Sequence, residues 1–118
     1  MNIERLRQLC LRKPGAIEET PFGPETLVFK VGGKIFALAD IDLFNGVNLK
    51  CDPERAVELR EEHGGITPGY HMNKRHWNTV STDGSVKDLL IEELLAHSYA
   101  LVVASLPKQV QASLQPEA

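Results

Sequence analysis

The stretch Thr26-Leu27-Val28-Phe29-Lys30-Val31-Gly32-Gly33-Lys34-Ile35-Phe36-Ala37-Leu38-Ala39 decides the fold. Two runs rich in β-branched and aromatic residues flank a Gly-Gly pair. Glycine accepts the positive φ angles of tight two-residue turns, so the runs are predicted to pair as an antiparallel hairpin. Leu27, Phe29 and Val31 then face a core. Downstream, Asp40-Ile41-Asp42-Leu43-Phe44-Asn45-Gly46 brings acids and a turn signal, and Val47-Asn48-Leu49-Lys50-Cys51 resumes strict alternation as a third strand. If the second strand runs on, Asp40 and Asp42 share one face. No third carboxylate stands near them in sequence, so a bound cation is not expected there.

Helical patterns surround this sheet. Ile3, Leu6, Leu9 and Cys10 form a stripe at helical spacing, predicting a helix from Asn2 to about Arg12 that Lys13-Pro14-Gly15 stops. Ala16 to Pro24 reads as a short extended piece with Glu18 and Glu19 on opposite faces as solvated charges. Asp52-Pro53-Glu54 opens a second helix reaching about His63, closed by Gly64-Gly65. Ser85 and Asp88 resemble a capping box ahead of the last helix, whose apolar residues from Val86 to Leu106 cover most of its circumference. His97 and Ser98 interrupt that face, and His97 is expected to be a hydrogen-bonded core group. Pro107 ends the helix. Residues 1–107 form the expected domain, and 108–118 a polar, frayed tail.

A chain of 118 residues with 42% hydrophobic content suits a single α+β domain in which helices flank an antiparallel sheet. The formal charge of −3 argues against general coating of nucleic acid, so any such affinity must come from a local patch. Cys10 and Cys51 lack metal or redox spacing and read as buried thiols of a reducing compartment. No secretory signal opens the chain and no apolar run is long enough to span a bilayer, so a cytoplasmic protein is expected, without membrane partners. Gly-rich phosphate loops, a Gly-x-Ser-x-Gly elbow and His-Glu-x-x-His are all missing from the sequence. It is therefore read as a non-enzyme with neither cofactor nor metal.

One stretch looks like a working surface: Pro68-Gly69-Tyr70-His71-Met72-Asn73-Lys74-Arg75-His76-Trp77-Asn78-Thr79. From Glu62 to Asp83 no carboxylate intervenes, although acids outnumber bases overall, 16 to 13. Read as a strand, His76, Asn78 and Val80 share one face while Trp77, Thr79 and Ser81 share the other. The approach through Pro68-Gly69 and Met72-Asn73 places Lys74 and Arg75 near an exposed hairpin tip, a wing able to contact phosphates. Asn73 and Asn78 amides add positioning hydrogen bonds. Tyr70 and Trp77 stack on unpaired bases if they are exposed, and Trp77 equally suits a core anchor. His71 and His76, five apart, suit no metal site. The same patch also fits a protein partner or a small anionic ligand.

Three blocks carry a family resemblance: Lys13-Pro14-Gly15-Ala16 with Glu18-Glu19 and Pro21-Phe22-Gly23; Val28-Phe29-Lys30-Val31 with Gly33-Lys34 and Phe36-Ala37; and Pro68-Gly69-Tyr70-His71 with Asn73-Lys74 and His76-Trp77. His97-Ser98-Tyr99 before Leu101-Val102 fits the closing helix. The chain resembles the MmcQ/YjbR family over nearly its whole length. The resemblance implies a CyaY-like fold and a DNA-binding role with a double-wing arrangement. Its motif positions here are Tyr70, His71, Asn73, Lys74, His76 and Trp77. Frataxin-like iron binding is not expected to transfer, because the first helix sets Glu4 against Arg5, Arg7 and Arg12.

Overall fold

The computed structural model describes residues 1–70 and 72–114. In chain order these form α1 (Ile3–Leu11), β1 (Ile17–Glu19), β2 (Thr26–Val31), β3 (Lys34–Asp40), β4 (Gly46–Lys50), α2 (Pro53–Glu62), β5 (Ile66–Pro68), β6 (Trp77–Ser81), α3 (Asp88–Ala104) and α4 (Lys108–Ser113). The six strands make one sheet in the order β1-β2-β3-β4-β6-β5, with every pairing antiparallel. The expected α+β architecture is therefore present.

The hairpin behaves as its sequence requires. Gly32 and Gly33 turn at φ of 57° and 81°, and Leu27, Phe29 and Val31 are buried in the main core. One departure follows. The β2–β3 register slips between Phe29 and Lys30, leaving Phe36 as an extra residue between the Phe29–Ala37 and Lys30–Ile35 pairs. Such a bulge breaks alternation, which is why the consecutive Phe36 and Ala37 are both fully buried. Phe36 packs edge-on against Tyr99 at 5.4 Å.

The core lies on one face of the sheet, joining Leu27, Phe29, Val47, Leu49, Ile66 and Val80 to Leu6 and Leu9 of α1, Ala56 and Leu59 of α2, and Ile91, Leu94, Leu95 and Val102 of α3. Ser98 lies fully buried in this layer: its Oγ donates to Phe36 O at 2.6 Å and accepts from Lys50 N at 2.9 Å. It thus satisfies the backbone where β3 and β4 diverge past the bulge. His97 accepts from Asp52 N at 3.3 Å, and its pKa is lowered by burial and then by the nearby Arg55. It is hydrogen-bonded as the sequence suggested, but half-buried at the edge of the core and not within it.

Local expectations elsewhere are refined or corrected. Asn2 is the N-cap of α1 rather than its first turn, its Oδ1 accepting from Arg5 N at 2.8 Å, and Asp52 caps α2 through Arg55 N. Glu18 and Glu19 are not free solvated charges. Glu18 accepts from Arg7 Nε and Nη2 at 2.9 and 2.6 Å, and Glu19 pairs with Lys30 at 2.9 Å, because tertiary packing brings α1 and β2 to the short β1. The capping box is not formed: Ser85 N donates to Asp83 Oδ1, which commits Ser85 to a preceding turn, and α3 starts at Asp88. Lys108–Ser113 forms the short helix α4 instead of a frayed tail, with Val110 and Leu114 packed on the core. Residues 115–118 of the expected tail lie outside the described residues.

Candidate functional site

Gly69, Tyr70 and the residues from Met72 to His76 lie between β5 and β6 and form the hairpin tip expected from the sequence. Its base is built by strand pairing, with Gly69 N donating to Trp77 O at 2.9 Å and Tyr70 N to Thr79 Oγ1 at 2.9 Å. A Cβ at Gly69 would come within 2.7 Å of Trp77 Cβ and crowd the Trp77 carbonyl, so the close approach of the two arms favours glycine there. Inside the tip, Asn73 Oδ1 accepts from Arg75 N at 3.0 Å, His76 N donates to Asn73 O, and Lys74 Nζ donates to Gly69 O at 3.2 Å. From the helix side, Arg60 Nη1 reaches Asn78 Oδ1 at 2.8 Å and Lys74 O at 3.3 Å, latching the tip to α2.

The expected site residues are dispersed by this arrangement. Lys74, Arg75 and Asn73 are exposed at the tip, and Tyr70 is 69% exposed. Trp77 is half-buried, lies outside the core cluster, and shares the helix-free face with Thr79 and its β4 partner Lys50. His76 is half-buried, its carbonyl accepting from Cys51 N. Asn78 is removed from the surface: at 2% exposure its Oδ1 is taken by Arg60 and its Nδ2 donates to Ala56 O. Its predicted face is correct, but that face is the core side, so it holds the tip from beneath and contacts no outside ligand. His71, the remaining expected residue, lies outside the described residues.

The tip carries two adjacent exposed cations, whereas several arginines elsewhere are neutralised by carboxylates. Arg5 pairs with Glu92, Arg7 with Glu18 and Glu4, and Arg55 with Glu93. Among the described residues, neither Lys74 nor Arg75 forms an ion pair with a carboxylate.

A second feature adjoins the tip and was not anticipated. The helix-free face carries a cleft of about 1200 Å³. Phe22 and Leu43 border it on the β2–β3 side, Tyr70 and Met72 on the wing side, with Asn48 and Thr79 between them. Thr79 Oγ1 donates to Asn48 Oδ1, and Asn48 Nδ2 donates to Tyr70 O at 3.1 Å. The sequence signal for it is faint: small polar residues at Asn48, Thr79 and Ser81, where a covered face would be apolar. Asp40 and Asp83 line the cleft as its only charged residues among those described. Asp40 Oδ1 accepts from Asp42 N and Leu43 N at 2.9 and 2.8 Å, which ends β3 in a turn and points that oxygen at the backbone. Hydrogen bonds from Ser85 pull the Asp83 carboxyl down to about 2. Among the described residues no group of His, Cys, Asp or Glu is placed to hold a metal ion, and no helix is long and apolar enough to cross a membrane.

Fold and site together define a small α+β domain that presents a basic hairpin tip beside an open sheet face. The YjbR family profile matches residues 11–101, and the chain belongs to that family. The uncharacterised protein YbdF of Escherichia coli O157:H7 is 39% identical over 114 residues, covering 96% of this chain and 93% of that protein. YjbR of Escherichia coli K12, also uncharacterised, is 37% identical over 110 residues, covering 92% and 93%. The crystal structure of Deinococcus radiodurans protein DR2400, of domain family DUF419, superposes with a TM-score of 0.91 at 43% identity, covering 99% of this chain and 91% of that one. A Pseudomonas syringae protein structure gives 0.74 at 28% identity, covering 86% and 99%.

Proposed function

We propose that this protein is a cytoplasmic nucleic-acid-binding module, not an enzyme, that holds phosphates on the wing carrying Lys74 and Arg75. The observation that carries the reading is the exposed Lys74-Arg75 pair, which forms no ion pair among the described residues of a chain whose net charge is −3. An unpaired cation pair on a latched tip costs little to reorganise when an anion arrives, and phosphate contacts fix position without reading sequence. Contact with two or three phosphates predicts a shallow salt dependence, about −0.9 in log affinity against log salt for each phosphate on a duplex.

Fluorescence anisotropy with labelled duplex and single-stranded DNA at low salt tests this. Binding that weakens with salt, and that Lys74→Ala with Arg75→Ala abolishes, supports the reading. Affinity unchanged in that double variant removes the wing from it. Saturable binding of a protein or a small anion at the same residues, with no affinity for DNA, replaces it by the alternative reading of the patch.

A further inference from the structure

The helix-free face is electrically polarised along the strands. Across β4 and β6, Lys50 lies opposite Trp77, Asn48 opposite Thr79, and Gly46 opposite Ser81, with Asp40 closing β3 beside Gly46. From Lys50 to Gly46 is four residues of strand, about 14 Å. The positive end holds Lys50, paired with Trp77 at the foot of the wing that carries Lys74 and Arg75. The negative end holds Asp40 and Asp83, and the cleft lies between, walled by Tyr70 at 69% and Phe22 at 66% exposure. Phe22, Leu43 and Tyr70 are all among the large apolar side chains most open to solvent, and all three border this one cleft. Apolar surface gathered around a concavity marks a binding site more than scattered exposure does.

Resting on the reading that the wing holds phosphate, we infer that the cleft takes an unpaired nucleobase of the same strand, with preference for bases that carry an exocyclic amino group. A phosphate cannot follow the chain inward, because the cleft has two carboxylates and, among the described lining residues, no cationic side chain. What enters beside a wing-bound phosphate must be uncharged, present flat faces to Tyr70 and Phe22, and offer hydrogen-bond donors. An unpaired base meets all three conditions, whereas a paired base stays inside its duplex. The Thr79 hydroxyl is already spent, accepting from Tyr70 N and donating to Asn48 Oδ1, which leaves Asp40 and Asp83, groups that only accept. Hydrogen bonds from Ser85 keep Asp83 ionised at neutral pH. Adenine, cytosine and guanine bring an amino donor to those acceptors, and thymine has none.

The test uses the full chain and four labelled probes of equal length at low salt and neutral pH: oligo(dC), oligo(dT), an abasic strand and a mixed-sequence duplex. Oligo(dC) is expected to bind roughly tenfold more tightly than the abasic strand, in the range of one stacked base, and several-fold more tightly than oligo(dT). Tyr70→Ala, at an exposed position, should erase the advantage over the abasic strand and leave the salt slope intact. Asp40→Asn keeps the Oδ1 acceptor that caps the turn, and should erase only the advantage of dC over dT. Equal affinity for oligo(dC) and the abasic strand, both salt-dependent and both lost in Lys74→Ala with Arg75→Ala, overturns the cleft assignment while the wing reading stands. Equal affinity for oligo(dC) and oligo(dT), both above the abasic strand, overturns the amino preference. Lack of affinity for all four probes overturns both readings.

Discussion

Replacing Arg60 by Met should loosen the wing and cost the whole domain about 2 kcal/mol. The figure follows from what the guanidinium leaves behind. Asn78 is 2% exposed, and its Oδ1 accepts from Arg60 Nη1 at 2.8 Å. A buried acceptor stripped of its donor loses about 1–3 kcal/mol, and a bond to a charged donor sits in the upper part of that range. The second bond, to Lys74 O at 3.3 Å, is long and exposed and adds little to stability. Its loss should appear as faster amide exchange through residues 73–76, since Arg60 is the tie between α2 and the tip.

Urea unfolding measures the global part. With a slope of roughly 1–3 kcal/mol per molar for a small domain, a 2 kcal/mol loss moves the midpoint down by about 1 M. A companion variant separates the orphaned acceptor from general disruption. Arg60→Met combined with Asn78→Leu replaces both partners by apolar groups and should recover much of the loss, because an apolar pair leaves no unsatisfied amide oxygen. A midpoint that moves by less than about 0.2 M in the single variant, or a double variant that loses the sum of both single changes, refutes the latch as described.

Two further outcomes follow from titratable groups. Burial lowers the His97 pKa below the ordinary 6.5, so the unfolded chain takes up the proton first as pH falls. The neutral folded histidine therefore stabilises above about 6.5, and that contribution is lost as pH drops toward the depressed folded value. The melting-temperature gap between the natural protein and His97→Gln should narrow on acidification through this window, and a gap that widens contradicts the assignment. Cys10 and Cys51 are buried, and burial pushes both thiols upward from their ordinary value. A thiol reagent at neutral pH should label neither in the native protein and both in denaturant; rapid native labelling of Cys10 contradicts its place in the core.

What the sequence disclosed was mainly local. Gly32-Gly33 carried the hairpin because only unusual φ angles close it, and Asp52-Pro53 carried the start of α2 because a cap and its proline act within one turn. The bulge at Phe36 was hidden, since two consecutive buried residues in an apolar run look like any interior strand. Ser85 and Asp88 have capping-box spacing, but Asp83 engages Ser85 first. Asn78 was placed on the correct face without its partner Arg60, eighteen residues away on another element. The cleft was illegible for the same reason: Phe22, Asn48 and Tyr70 meet only once β2, β4 and the wing are assembled. The Lys74-Arg75 pair was written contiguously, and it lies exposed at the surface.

The outer rim of β5 has its own consequence. Gly69 N bonds inward to Trp77 O, so by alternation the outward-facing amides of this strand belong to Ile66 and Pro68. Ile66 N is spent on His63 O, and proline has no hydrogen to give. A foreign strand sliding along this border finds acceptors but no donors, and cannot zip on. The domain can thus hold a basic, solvent-facing tip next to an open sheet margin without that margin seeding self-association.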